Sequence, residues 1–124
     1  MDEAKEFGKT GEEMAAEHLK KLGYRILERN YRTKAGELDI VAADGDAVVF
    51  VEVKSRRDES FGAPELAVNP HKRRQLTRAA LLYILRKKKH DRPCRFDVVT
   101  VSMAGGRADI TVIKDAFELS GGYR

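Results

Sequence analysis

Between residues 3 and 22 the apolar positions recur every three or four residues. Phe7, Gly11, Ala15, Leu19 and Leu22 fall on one stripe, which predicts an amphipathic helix. Gly23 is a natural C-cap, and Lys20 and Lys21 suit the negative end of the helix dipole. The pattern then shifts toward strands. GYRILERNYR predicts a strand over 24–32, and residues 37–43 and 47–55 predict a β-hairpin around Asp44-Gly45-Asp46. Residues 56–69 have no clear period and contain Gly62 and Pro64, so they read mostly as loop. Asn69 as N-cap and Pro70 at the first helical position open a second helix running to about Lys88. Its buried stripe is Leu76, Ala79, Ala80, Tyr83, Ile84 and the stem of Lys87. RFDVVTVSM and RADITVIK are two further strands, and DAFELSGGYR is an irregular covering tail. The order helix, three strands, helix, two strands predicts one α+β (α/β) domain over 1–124, a central mixed five-stranded sheet flanked by helices.

The hairpin carries charge where strands rarely do. Glu37, Asp39, Glu52 and Lys54 stand among Val, Ile and Phe, and a buried charge is costly unless paired or bound to a metal. A two-residue loop at Gly45-Asp46, with Gly first as a type II′ turn prefers, pairs Asp44 with Ala47, whereas a three-residue loop would shift the pairing by one. Strand alternation then sets Asp39 opposite Glu52 and Glu37 opposite Lys54, with Glu37, Asp39 and Val41 on one face. Cβ atoms of directly opposed residues lie about 5 Å apart, and like charges so placed destabilise a sheet. A hard divalent cation, Mg²⁺ or Mn²⁺, between Asp39 and Glu52 removes that conflict. Lys54, two residues on, would then stabilise developing negative charge or position a water. Such a set suits phosphodiester hydrolysis. The same residues also fit a plainer reading: a Glu37–Lys54 ion pair, with Asp39 and Glu52 beside it at a wet sheet edge.

Charge distribution adds a partner. Residues 71–95 hold ten Lys/Arg and one Asp, so the net charge of +4 conceals a basic block on a slightly acidic remainder. Such a block suits a polyanion, and nucleic acid is the commonest, although a solvated helix face has the same composition. Lys72, Arg73, Arg74 and Arg78 are the candidate phosphate contacts on the helix; the first three oppose the dipole at its start, which favours a binding role. Arg56 and Arg57, directly after the hairpin, are candidates to grip substrate, and Ser55 to touch a phosphate. Cys94 has no cysteine to pair with, and His18, His71 and His90 are scattered, so neither a disulfide nor a zinc site is expected. The charged N-terminus and the lack of a long apolar run predict a cytoplasmic protein with no membrane partner.

Gly8, Glu12 and Ala15 in a G-x-x-x-E-x-x-A opening, GYRILERNYR, GELDIVA, VFVEVKSR, FGAPELAV, PHKRRQL and RFDVV together resemble the YraN-like family of small bacterial proteins. That family looks like a member of the restriction-endonuclease-like superfamily, with core motif PD-(D/E)-x-K, and is similar in outline to archaeal Holliday-junction resolvases. The resemblance implies that Asp39, Glu52 and Lys54 match the catalytic motif. It implies that Glu12 matches a first-helix glutamate joining Asp39 and Glu52 at the metal, and that Gln75 matches a helix glutamine of some relatives. The motif proline is Leu38 here. Glu37 is expected beside the site rather than on the metal.

Three functions are compatible with these features. The first is a Mg²⁺- or Mn²⁺-dependent DNA endonuclease selective for branched structures, for which a homodimer would suit a symmetric junction. The second is a non-catalytic nucleic-acid-binding module on a nuclease fold, and the third a basic domain that binds an acidic protein.

Overall fold

The computed structural model describes residues 3–56, 69–89, 91–103 and 106–117, with side chains described from residue 10 onward. The order is α1 (Glu3–Lys21), β1 (Arg25–Thr33), β2 (Gly36–Asp44), β3 (Ala47–Arg56), α2 (Pro70–Lys87), β4 (Cys94–Ser102) and β5 (Asp109–Phe117). This is the predicted α+β succession. The five strands form one mixed sheet in sequence order, antiparallel except for the parallel pair β3–β4. A parallel pair needs a long crossover, and α2 lies within it.

Each helix covers one face. Ala15, Ala16 and Leu19 of α1 pack on Ile40, Ala42, Val49, Val51, Val99 and Val101. Leu76, Ala79, Ala80 and Tyr83 of α2 pack on Val41, Val48, Phe50, Phe96, Val98 and Phe117. The Tyr83 ring meets Tyr31 and Phe50 edge-on, at centroid separations of 5.1 and 5.8 Å. The small residues of α1 permit close approach. A Cβ at Gly11 would run into Ser55 Oγ, so a larger residue here would have to displace that hydroxyl for this turn to sit as close to β3.

The caps follow the expected chemistry. Asn69 Oδ1 accepts from the Lys72 amide at 2.9 Å, and Lys88 closes α2 in the left-handed region with φ 56°. Gly45 carries the positive φ, 62°, that the first position of the β2–β3 loop demands. Two expectations change. Leu22 lies past the end of α1 and is 52% exposed, so the buried stripe ends at Leu19; the side chain of Phe7 falls outside the described residues. β5 continues to Phe117, which stacks on Phe96 at 4.6 Å, so the strand takes up the start of the expected irregular tail. Most of the expected 56–69 loop, 57–68, is outside the described residues.

Candidate functional site

The β2–β3 ladder runs from Asp44–Ala47 to Ile40–Val51, in the register that the two-residue turn dictates. One step further the strands part. Asp39 Oδ2 accepts from the Val53 amide at 2.9 Å, so a side chain takes the place of a ladder carbonyl. Strand alternation slips at this point: Leu38 and Val41 join the α2-side core while Ile40 joins the α1-side core. The simple sharing of one face by Glu37, Asp39 and Val41 is thereby corrected.

The Asp39 carboxyl meets that of Glu52, which is only 6% exposed. Burial, then the charge of Glu52 and a hydrogen bond to it, push Asp39 up to about 7; the Val53 amide and Lys72 act the other way. Two lysines converge on the same oxygen, Glu52 Oε2: Lys54 Nζ at 3.5 Å and Lys72 Nζ at 3.6 Å. Lys54 comes from β3 and Lys72 from the capped first turn of α2.

Glu12 approaches from the other layer. Its carboxyl is pushed up by burial first, then by the charges of Asp39 and Glu37, against the pull of Arg29. Asn30 joins the two flanking glutamates. With its amide turned so that nitrogen faces the carboxylates, it donates to Glu12 Oε1 and Glu37 Oε1, each at 2.9 Å. Asn30 lies on β1 between the residues that pair with Leu38 and Ile40, hence across from Asp39, and has φ 52°. Asn tolerates that left-handed conformation better than most residues.

Among the described residues, no three His, Cys, Asp or Glu side chains converge into a ready-made metal cage. Two adjoining carboxyls that share a hydrogen bond nevertheless fit a small hard cation, because Mg²⁺ takes one or two carboxylates and completes its shell with water and phosphate oxygens. Asp39 and Glu52 are the pair that would hold it, with Glu12 adjacent.

The sequence model of Uncharacterised protein family UPF0102 matches residues 11–101. The chain belongs to UPF0102. UPF0102 proteins from Syntrophus aciditrophicus and Pelobacter propionicus are 52% and 54% identical to it, covering 93% and 91% of this chain and 91% and 83% of their own lengths. A third, from Caldicellulosiruptor saccharolyticus, is 49% identical over 91% of this chain and 98% of its own. The YraN-like resemblance fits this membership.

In this UPF0102 chain the other expected site residues separate. Glu37 pairs with Arg32 at 3.6 Å, opposite it on β1, and the cation beside Glu52 is Lys54; the expected Glu37–Lys54 pair is corrected, because β2 and β3 have parted by that point. Ser55 lies under Gly11, and Gln75 against Gly36, where a Cβ would come within 2.8 Å of its Nε2. Arg73 sits over the Phe117 ring at 5.4 Å, Arg74 and Arg78 are exposed, and Arg56 ends β3. Arg57 is outside the described residues. Sequence reasoning missed Asn30, and did not foresee that Lys72, a candidate phosphate contact, lies beside Glu52. For Asn30 a signal existed: a turn-forming residue in mid-strand. For Lys72 none did, since its approach depends on how the crossover folds back. Among the described residues no helix is long and apolar enough to cross a membrane.

Proposed function

We propose that this UPF0102 protein is a Mg²⁺- or Mn²⁺-dependent DNA endonuclease acting on branched DNA. The observation that carries the reading is the half-buried Asp39 carboxyl set against the buried Glu52 carboxyl, with Lys54 and Lys72 drawn to Glu52. Such a pair contributes little to a fold that could fill the site with apolar side chains. Its chemistry suits divalent-cation binding beside a phosphate. When bound, the ion supplies Lewis-acid polarisation of the phosphate and acidifies a water.

The side chains do the rest. Asp39 is held by the Val53 amide, so its carboxylate is aimed before substrate arrives. Lys54 and Lys72 offer two ammonium groups to non-bridging phosphate oxygens, where negative charge grows during hydrolysis. Glu12 and Glu37, joined through Asn30, hold the flank of the site. Exposed Arg74 and Arg78 extend a cationic surface along α2 for the sugar-phosphate backbone.

Labelled duplex, single-stranded, flap and four-way-junction DNA, incubated with Mg²⁺, Mn²⁺ or EDTA, test the reading. Metal-dependent cutting of branched substrates is expected. Asp39→Asn and Lys54→Ala, purified in parallel to expose contaminating nuclease, should each lower the rate by about 10²-fold or more. Cutting that both variants retain, or none at all, would remove the endonuclease assignment. The exposed Arg74 and Arg78 along α2 support one second reading, a non-catalytic DNA-binding module. Salt-sensitive binding without cutting is its signature.

A further inference from the structure

Helix α2 has a second exposed feature, nearer its C-terminal end. It buries Leu76, Ala79, Ala80, Tyr83 and Ile84, yet Leu82 is 39% and Leu85 68% exposed. Leucine on the solvent side of so basic a helix does nothing for the sheet beneath. Two adjoining open grooves, of about 430 and 630 Å³, run between this part of α2 and the β1–β2 turn, sharing Lys34, Leu82 and Leu85. Leu81, Leu82 and Leu85 supply the apolar floor, with Ala35 on the turn side. Arg32, Lys34, Arg78 and Arg86 supply the charges, and no acidic side chain lines either groove. Arg32 has Glu37 as partner, whereas Lys34, Arg78 and Arg86 have no ion pair among the described residues.

The chemistry of lining and rim selects the occupant. A second copy in a two-fold contact would bring the same cations face to face, and like charges across an interface suppress association. DNA phosphates would satisfy the rim but gain nothing from a leucine floor. An acidic amphipathic helix satisfies both, with apolar anchors three and four residues apart in the groove and carboxylates reaching the rim.

We propose that this groove docks an acidic amphipathic helix of a partner protein. Leu82 is ten residues beyond Lys72, or about 15 Å along the helix axis, so the groove is offset from the carboxylate pair, with Arg78 bordering both the groove and the cationic surface of α2. The proposal does not depend on catalysis by the carboxylate pair.

A fluorescein-labelled helical peptide with Leu at i, i+3, i+4 and i+7 and Glu at the flanking positions is the probe, read by anisotropy against the full chain. A scrambled peptide of equal composition and a DNA duplex serve as comparisons. The patterned peptide is expected to bind, and Leu82→Ser/Leu85→Ser and Arg86→Glu each to weaken it by about tenfold or more, as loss of a central anchor does. Circular dichroism confirms that these surface variants fold. Equal binding of the scrambled peptide, undiminished binding by the leucine variant, or no binding at about 1 mM overturns the proposal. So does a leucine-dependent dimer in sedimentation, which gives the groove to a second copy. A leucine variant that loses DNA affinity instead assigns the groove to nucleic acid.

Discussion

Asp97→Ala is expected to destabilise the protein by about 3–5 kcal/mol, the usual cost of breaking a buried ion pair by removing one partner. Asp97 is 0% exposed, in the middle of β4. Its Oδ1 accepts from Arg95 Nε and from the Asp115 amide, each at 3.0 Å, and its Oδ2 from the Tyr24 hydroxyl at 3.0 Å. Arg95 also donates to the Tyr24 oxygen and to Asp44 Oδ2, both at 2.8 Å. The carboxylate, with Arg95 beside it, thus ties the α1–β1 connection, the end of β2 and β5 together. The Asp115 contact closes the irregularity where β5 departs from β4 between Phe96 and Val98, with Asp115 at φ 53°. Without the carboxylate, an arginine loses its main partner and an amide and a hydroxyl lose their acceptor. For a chain of this size the midpoint of thermal unfolding should fall by about 10–25 °C. Asp97→Asn keeps the shape and should cost less, and Tyr24→Phe about 1–3 kcal/mol, since its hydroxyl both donates to Asp97 and accepts from Arg95. A loss below about 1 kcal/mol for Asp97→Ala in urea unfolding would show that the network carries little stability.

A second large effect concerns pH and divalent cations. The Asp39 carboxyl titrates near 7 in the folded chain, against an ordinary value of 3.8, because burial and Glu52 oppose its ionisation. Between those values the folded chain keeps a proton that the unfolded chain has released. Stability from this site is therefore present below about pH 4 and falls as pH rises towards 7. At about 1.4 kcal/mol per pKa unit the interval is worth at most about 4 kcal/mol. The informative quantity is the difference from Asp39→Asn, which mimics the protonated form. Wild type should lose stability relative to that variant from pH 5 to pH 8. Adding Mn²⁺ or Mg²⁺ at pH 8 should restore it in wild type, by about 2.7 kcal/mol at a hundred times the dissociation constant, and leave the variant unmoved. Parallel pH curves with no cation effect in either protein would dismiss the coupled pair as a cation site.

How far the sequence revealed this arrangement depended on whether local chemistry or tertiary packing decided it. Gly45 fixes the turn and the turn fixes the register as far as Ile40–Val51, both local steps; one residue beyond, Asp39 is held by the Val53 amide and its carboxyl meets Glu52. Asn69 and Pro70 mark the start of α2 equally well. The inference failed where strands stop behaving as ideal ladders. Glu37 was projected onto Lys54 by extending the hairpin past Ile40–Val51, but β1 pairing is the stronger claim on that segment and gives Glu37 to Arg32. Lys72 reaches Glu52 only because the crossover returns α2 over the sheet, which no spacing encodes. Asp97 was visible as a charge in the middle of an apolar strand, yet Tyr24 and the Asp115 amide, which donate to it, and Asp44, which shares Arg95 with it, come from three distant segments.

The sequential order of the sheet also bears on how the chain reaches its folded state. Asn30, Glu37, Asp39, Glu52 and Lys54 all lie on β1, β2 and β3, which form an antiparallel meander with short turns. Closing such turns takes little chain entropy, whereas pairing β3 with β4 must wait for the whole α2 crossover to be gathered in. On that order the two facing carboxyls would meet before Lys72 arrives beside Glu52. Pulsed hydrogen exchange during refolding should find the amides of Ala42 and Val49 protected ahead of that of Val99. Simultaneous protection would mean that the sheet forms in one step.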